Sequence, residues 1–133
     1  STQAKTLFPY TTLFRSGLSG PTCVIGSIVQ ADFDTAAILC GDLNAANGQK
    51  GFAGRKNWRL PIRAELESIQ DLGGSVPLIE ASRFPATLAG HYWTTTTRGG
   101  NGWFVDFADS TSISNNEVKS TANAVRCVST GDT

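Results

Sequence analysis

The feature that most constrains this chain is the run Gly102–Ala108, GWFVDFA. Trp103, Val105 and Phe107 alternate with Phe104, Asp106 and Ala108. Successive side chains of a strand point to opposite faces, so this period of two predicts a β-strand. Two more runs read the same way. Tyr92–Thr97 (YWTTTT) is aromatic and β-branched, and Ala124–Ser129 (AVRCVS) places Val125 and Cys127 on one face. Between the last two runs, Asp109–Asn123 is polar and turn-rich, and is expected to be a loop. The 14 Gly and repeated Ser and Thr argue against a helical bundle.

Upstream the pattern changes. Gly17–Pro21 is a breaker cluster, and Thr22–Val29 (TCVIGSIV) reads as a short strand. Asp32 or Asp34 is placed to cap a helix whose buried stripe is Phe33, Ala37, Cys40 and Leu43, with Ala36 beside it. Gly48 and Gly51 are expected to end it, and Lys50–Asn57 is a basic, Gly-rich loop. Trp58–Pro61 (WRLP) leads into a second helix from Ile62 to about Asp71, with Ile62, Leu66 and Ile69 buried and Gly73–Gly74 as its stop. Pro77 and Pro85 leave residues 75–90 irregular. Two helices followed by strands predict an α+β domain built on a small twisted antiparallel sheet.

The chain has 133 residues, enough for one domain, here residues 17–133. Lys+Arg and Asp+Glu are both 11, so there is no basic footprint for nucleic acid. No stretch approaches the roughly 20 apolar residues that a membrane-spanning helix needs, so membrane insertion is not expected. One His and no Cys-x-x-Cys pair give no support for a metal site. Three separated Cys, high Ser/Thr and few Lys suit a secreted or surface protein with one disulfide, leaving one thiol over. Thr6–Ser16 (TLFPYTTLFRS) matches, residue for residue, one reading frame of a common sequencing adapter. Residues 1–16 are therefore expected to be foreign to the domain. With no Met, the native N-terminus is expected to lie outside this chain.

Few residues invite chemistry. Trp58 reads as core, and Arg59 as a brace for a carboxylate or carbonyl. Glu65 and Glu67 lie two apart on a helix and cannot flank one bond, so a solvated helix face is expected. His91 beside Tyr92 reads as a loop or turn residue. A triad with Asp106 or Asp109 lacks a Gly-x-Ser-x-Gly nucleophile elbow, so no catalytic residue is assigned. Arg98–Gly102 (RGGNG) joins two predicted strands and carries a cation and an amide. If a ligand is bound, Arg98, Asn101 and the aromatic face of Trp103 are the expected contacts, with Ser110–Asn123 as an adaptable polar border. The competing reading makes RGGNG a plain hairpin turn and Trp103 a core residue.

Several ordered motifs carry a resemblance: AAILCGDLN, WRLPIRAELESI, FPATLAGHYWTTTT, GWFVDFAD and AVRCV. Over roughly Thr22–Val128 the chain resembles the Lcl C-terminal domain family. The resemblance implies a C-type-lectin-like fold, related to that of formylglycine-generating enzymes. It also implies a binding role of the kind found on bacterial adhesins, pilus-associated proteins and phage receptor binders. Cys40 is implied to pair with Cys127, leaving Cys23 free or paired outside this chain. Ile62 stands where the family usually has Thr or another capping residue, at a cost of about 1 kcal/mol, and Glu65 is placed to compensate through the helix dipole. The Glu-Pro-Asn, Gln-Pro-Asp and Trp-Asn-Asp motifs of calcium-dependent lectins are absent, although Asp106 and Asp109 offer oxygen ligands. The expectation is a non-enzymatic extracellular domain without cofactor or metal. Its partner would be a glycan or protein receptor. The alternative is a subunit or tip of an extracellular filament, whose partner is another copy of itself.

Overall fold

The computed structural model describes residues 10–12, 29–52, 55–80, 87–110 and 114–129. In chain order these form β1 (Tyr10–Thr12), β2 (Gln30–Ala31), α1 (Phe33–Asp42), a 3-10 turn (Leu43–Ala45) and α2 (Ala46–Gln49). There follow β3 (Trp58–Arg59), α3 (Arg63–Ser68), β4 (His91–Arg98), β5 (Asn101–Asp106), β6 (Ser114–Glu117), β7 (Asn123–Ala124) and β8 (Arg126–Ser129). The α+β class holds. The single antiparallel sheet is corrected to two small sheets, ordered β2-β7-β4-β5-β6 and β1-β8-β3. The larger is mixed, because Tyr92 of β4 pairs in parallel with Ala124 of β7.

The expected strand Ala124–Ser129 is in fact two strands that part at Val125. Residues 123–129 are buried throughout, and this one segment joins both sheets. β6 corrects a second expectation: the polar stretch 109–123 contains a strand that pairs with β5, from Gly102↔Glu117 to Val105↔Ser114. β1 lies inside the segment read as foreign and pairs with β8 through Tyr10↔Val128. Backbone pairing along an edge makes little demand on side-chain identity. The strand expected at Thr22–Val29, and Cys23 with it, fall outside the described residues apart from Val29.

The larger sheet is buried on both faces. Neighbouring residues of one strand separate into two clusters, as the pleat requires. Trp93 and Phe104 join Phe33, Ala36, Cys40 and Leu43 under α1, while Tyr92, Val105 and Phe107 join Leu66 and Ile69 under α3. The two helices therefore cover opposite faces. Phe33 packs edge-on against Trp93, with ring centroids 5.4 Å apart. A side chain at Gly102 would meet the Phe33 ring at 2.3 Å, so the glycine is what lets α1 seat.

α1 starts where expected: Asp32 is its N-cap and accepts from the Thr35 N–H at 2.8 Å. Its buried stripe is Phe33, Ala36, Cys40 and Leu43; Ala37 is exposed, a correction of one helical position. Cys40 is bonded to Cys127 of β8, with Cα atoms 5.4 Å apart. α3 is shorter than expected, ending at Ser68, and Ile62 sits at its N-cap position 47% exposed rather than buried. Trp58 is core, and Asn44 grips its backbone from both sides: Oδ1 accepts from the Trp58 N–H and Nδ2 donates to the Trp58 carbonyl.

Candidate functional site

The chain turns from β4 to β5 through Gly99 and Gly100, with φ of 56° and 86°. Arg98 and Asn101 pair directly across this two-residue turn. Two successive positive φ values are what a tight hairpin of right-handed twist needs, and glycine supplies them without strain. RGGNG is thus a hairpin tip, as the competing reading held.

Directly opposed residues of an antiparallel pair share a face, as do residues two apart. Arg98, Asn101, Trp103 and Asn116 therefore lie on one face of the β4–β5–β6 sheet, the face covered by α3. Asn101 Nδ2 donates to Asn116 Oδ1 at 2.9 Å. Arg98 is exposed, while Trp103 is only 8% exposed. The Arg63 guanidinium lies over the Trp103 ring, 4.4 Å from its centroid. Trp103 therefore presents no open ring face in this structure. Arg63 Nε donates to Glu67 Oε2 at 2.8 Å, and the same oxygen accepts from the Ser114 hydroxyl at 3.0 Å.

Arg63 is placed there by a bulge in β4. Between Trp93 and Thr97 the register with β5 shifts, and the extra residues turn toward α3. The Thr95 N–H donates to the Pro61 carbonyl at 2.9 Å, and Thr96 Oγ1 accepts from the Arg63 N–H at 3.2 Å. Thr94 is fully buried, and its hydroxyl donates to the Trp103 carbonyl at 2.8 Å. Below this, Arg59 and Glu65 form a two-pronged ion pair at 2.7 and 2.8 Å, and Glu65 also accepts from the Ile62 N–H at 3.0 Å. Burial works against the charge on Glu65, but the Arg59 hydrogen bonds, the Ile62 N–H and the Arg59 charge outweigh it and hold the carboxyl below its ordinary value of 4.5. Arg59 is the brace expected of it. Glu65 is no solvated residue: it is 8% exposed.

A second polar group lies on the opposite face, at the sheet's other end. His91 is a strand residue, a correction of the expected loop or turn position, and its ring stacks on Phe104 with centroids 3.8 Å apart. Its Nε2 lies 3.4 Å from Asp106 Oδ2 and its Nδ1 3.3 Å from Glu117 Oε1. Asn123 Nδ2 donates to the same Glu117 oxygen. A catalytic triad needs one imidazole nitrogen on a carboxylate and the other on a nucleophile. Here both nitrogens face carboxylates. Among the described residues, no three His, Cys, Asp or Glu side chains are arranged to hold a metal ion.

The structure thus brings Arg98, Asn101 and Trp103 onto one face, but only Arg98 is fully open there. Sequence reasoning missed Arg63 and Asn116. Arg63 carries no local signal, because its contact with Trp103 spans 40 positions and depends on the bulge. Asn116 lies in SNNE, where every residue is polar and no alternation marks a strand. The His91–Asp106 pairing was more accessible: period two puts Asp106 on the face of Phe104, and His91 on the face of Trp93.

A family model described as the Lcl C-terminal domain matches residues 11–129. No curated protein and no solved structure matches the chain.

Proposed function

The chain belongs to the Lcl C-terminal domain family, and from that premise we propose that it is a non-enzymatic, extracellular binding domain of C-type-lectin-like fold. Its ligand would be a glycan or a protein surface. The observation that carries this reading is the polar strip on the α3 face: Arg98 exposed at a tight hairpin tip, beside the Asn101–Asn116 pair. A cation and two amides on paired strands offer donors and acceptors at fixed spacing, which favours recognition by preorganised hydrogen bonds. The Cys40–Cys127 bond supports an oxidising compartment. The carboxylates on both sides of the His91 ring support a role without catalysis.

The test is binding of the purified chain to a broad glycan and glycosaminoglycan array, with and without EDTA. Binding that survives EDTA, and that falls in Arg98→Ala and Asn101→Ala, is the expected result. Binding lost in EDTA would overturn the calcium-independent reading. Absence of binding under both conditions would overturn the glycan reading. Weight would then move to a filament subunit, for which sedimentation should show self-association.

A further inference from the structure

The three tryptophans divide unequally. Trp58 Nε1 donates to the Phe52 carbonyl and Trp93 Nε1 donates to the Ala31 carbonyl, each at 2.8 Å. Trp103 Nε1 is fully buried and has no hydrogen-bond partner among the described residues. An indole N–H withdrawn from water without an acceptor is unfavourable, and native proteins rarely leave one so. Trp103 is a buried residue, and over one face of its ring lies the Arg63 side chain, 45% exposed and held to Glu67 by an i,i+4 ion pair. Surface ion pairs and exposed cation–π contacts are weak, so this cover is easily displaced.

We propose that Arg63 is a gate over a sugar-binding platform formed by Trp103. In the free protein the guanidinium occupies the ring. When it swings aside, still within reach of Glu67, the indole face and its unpaired N–H become available together. The chemistry that satisfies both is a pyranose ring, whose C–H face stacks on the indole while an adjacent hydroxyl oxygen accepts from Nε1. Asn101 and Asn116, on the same face, supply the bordering amides. This rests on the binding role proposed above and adds to it a residue, Arg63, that competes with the ligand instead of contacting it in the closed state.

The experiment is a two-dimensional 1H–15N spectrum of the full chain labelled at tryptophan, in which three indole signals are assigned by single Trp→Phe changes. The probes are the methyl glycosides of glucose, galactose, mannose and N-acetylglucosamine. The expected result is a saturable shift of the Trp103 indole signal alone, with at least one probe. Arg63→Ala should tighten the apparent Kd several-fold, and Trp103→Phe, which keeps a ring but loses the N–H and its signal and is therefore titrated by calorimetry beside the parent, should weaken it about tenfold. The Trp58 and Trp93 signals report whether each variant is folded. A Trp103 signal unmoved by all four probes in both wild type and Arg63→Ala would overturn the proposal, as would weaker binding in Arg63→Ala. An array ligand that binds while this signal stays still would overturn the gate and leave the binding role standing.

Discussion

The two main helices begin in opposite ways. α1 is capped from its own sequence: Asp32 accepts from Thr35, three residues on. α3 has Ile62 at the same position and no side-chain cap of that kind. Glu65 of its own first turn accepts from the Ile62 N–H, and Thr96 of the β4 bulge, from another element, accepts from the Arg63 N–H. Their anchors differ too. α1 is tied covalently to β8 through Cys40, whereas α3 is tied by the Arg59–Glu65 pair and by its apolar side, Leu66 and Ile69. One helix is specified locally and fixed by a bond. The other is held largely by contacts with the strands around it, and it is the one that borders the candidate site.

The largest effect should come from the covalent anchor. Cys40 and Cys127 are separated by 87 positions, and closing a loop of that size is worth roughly 4.5 kcal/mol in the chain-entropy account, before any strain is subtracted. Changing both to Ser should lower unfolding stability by a large part of that figure in urea titration. The loss should be no larger than that caused by reductant in the unaltered chain. A double variant as stable as the parent would show that packing of Phe33, Ala36 and Leu43 alone holds α1, and the contrast between the helices would collapse.

Next is the ionic anchor of α3. Glu65→Gln keeps the shape but removes the charge that Arg59 and the Ile62 N–H both use. Hydrogen bonds to charged groups are worth about 1.5–3 kcal/mol; with Arg59 37% exposed, a loss of about 2 kcal/mol is expected. Hydrogen exchange should show the loss concentrated in α3 and the β4 bulge. Uniform loss across α1 as well would mean that the two helices are one cooperative unit.

This contrast also explains what the sequence could disclose. Asp32, the Phe33–Leu43 stripe and the alternation of β5 are local patterns, and each was legible, with a one-position slip at Ala37. The end of α3 was not, because the helix stops at Ser68 with the buried Ile69 as its C-cap, ahead of the Gly73–Gly74 breaker that the sequence displays. Nor was the split at Val125, since nothing in AVRCVS marks a change of sheet. β6 was hidden because a strand made of Ser, Asn and Glu is held by pairing with β5, not by burial of its own side chains. The candidate site shares this fate. Arg98 and Asn101 were legible as a turn, but Arg63 over Trp103 depends on the same long-range placement that forms α3.

A smaller effect should follow from the borrowed cap. Thr96→Val removes the acceptor used by the Arg63 N–H and keeps the β-branched shape. The expected cost is about 1 kcal/mol, the usual value of a lost helix cap. Because Arg63 also covers Trp103, the same change should loosen that cover, read as easier acrylamide quenching of tryptophan fluorescence. A stability loss without any change in quenching would separate the helix start from the site.

The smallest effect concerns charge alone, and it has opposite settings in the two helices. The Asp32 carboxyl is held below its ordinary value of 3.8 by the Thr35 N–H first and then the Thr35 hydroxyl, and its side chain is in full contact with solvent. A carboxyl depressed on folding stabilises the native state above its unfolded value, and that stability is lost as pH falls through the folded value. Glu65, also depressed, has the same sign. Both therefore act below about pH 4.5 and neither contributes a slope near neutrality. Asp32→Asn keeps a capping oxygen, so stability at pH 7 should scarcely change, while the acid limb becomes slightly shallower. Glu65→Gln should flatten the same limb further, because its carboxylate has a guanidinium to lose. Acid titrations of the two variants followed by circular dichroism would rank them, and an Asp32→Asn limb flatter than that of Glu65→Gln would reverse the assignment of which helix depends on charge.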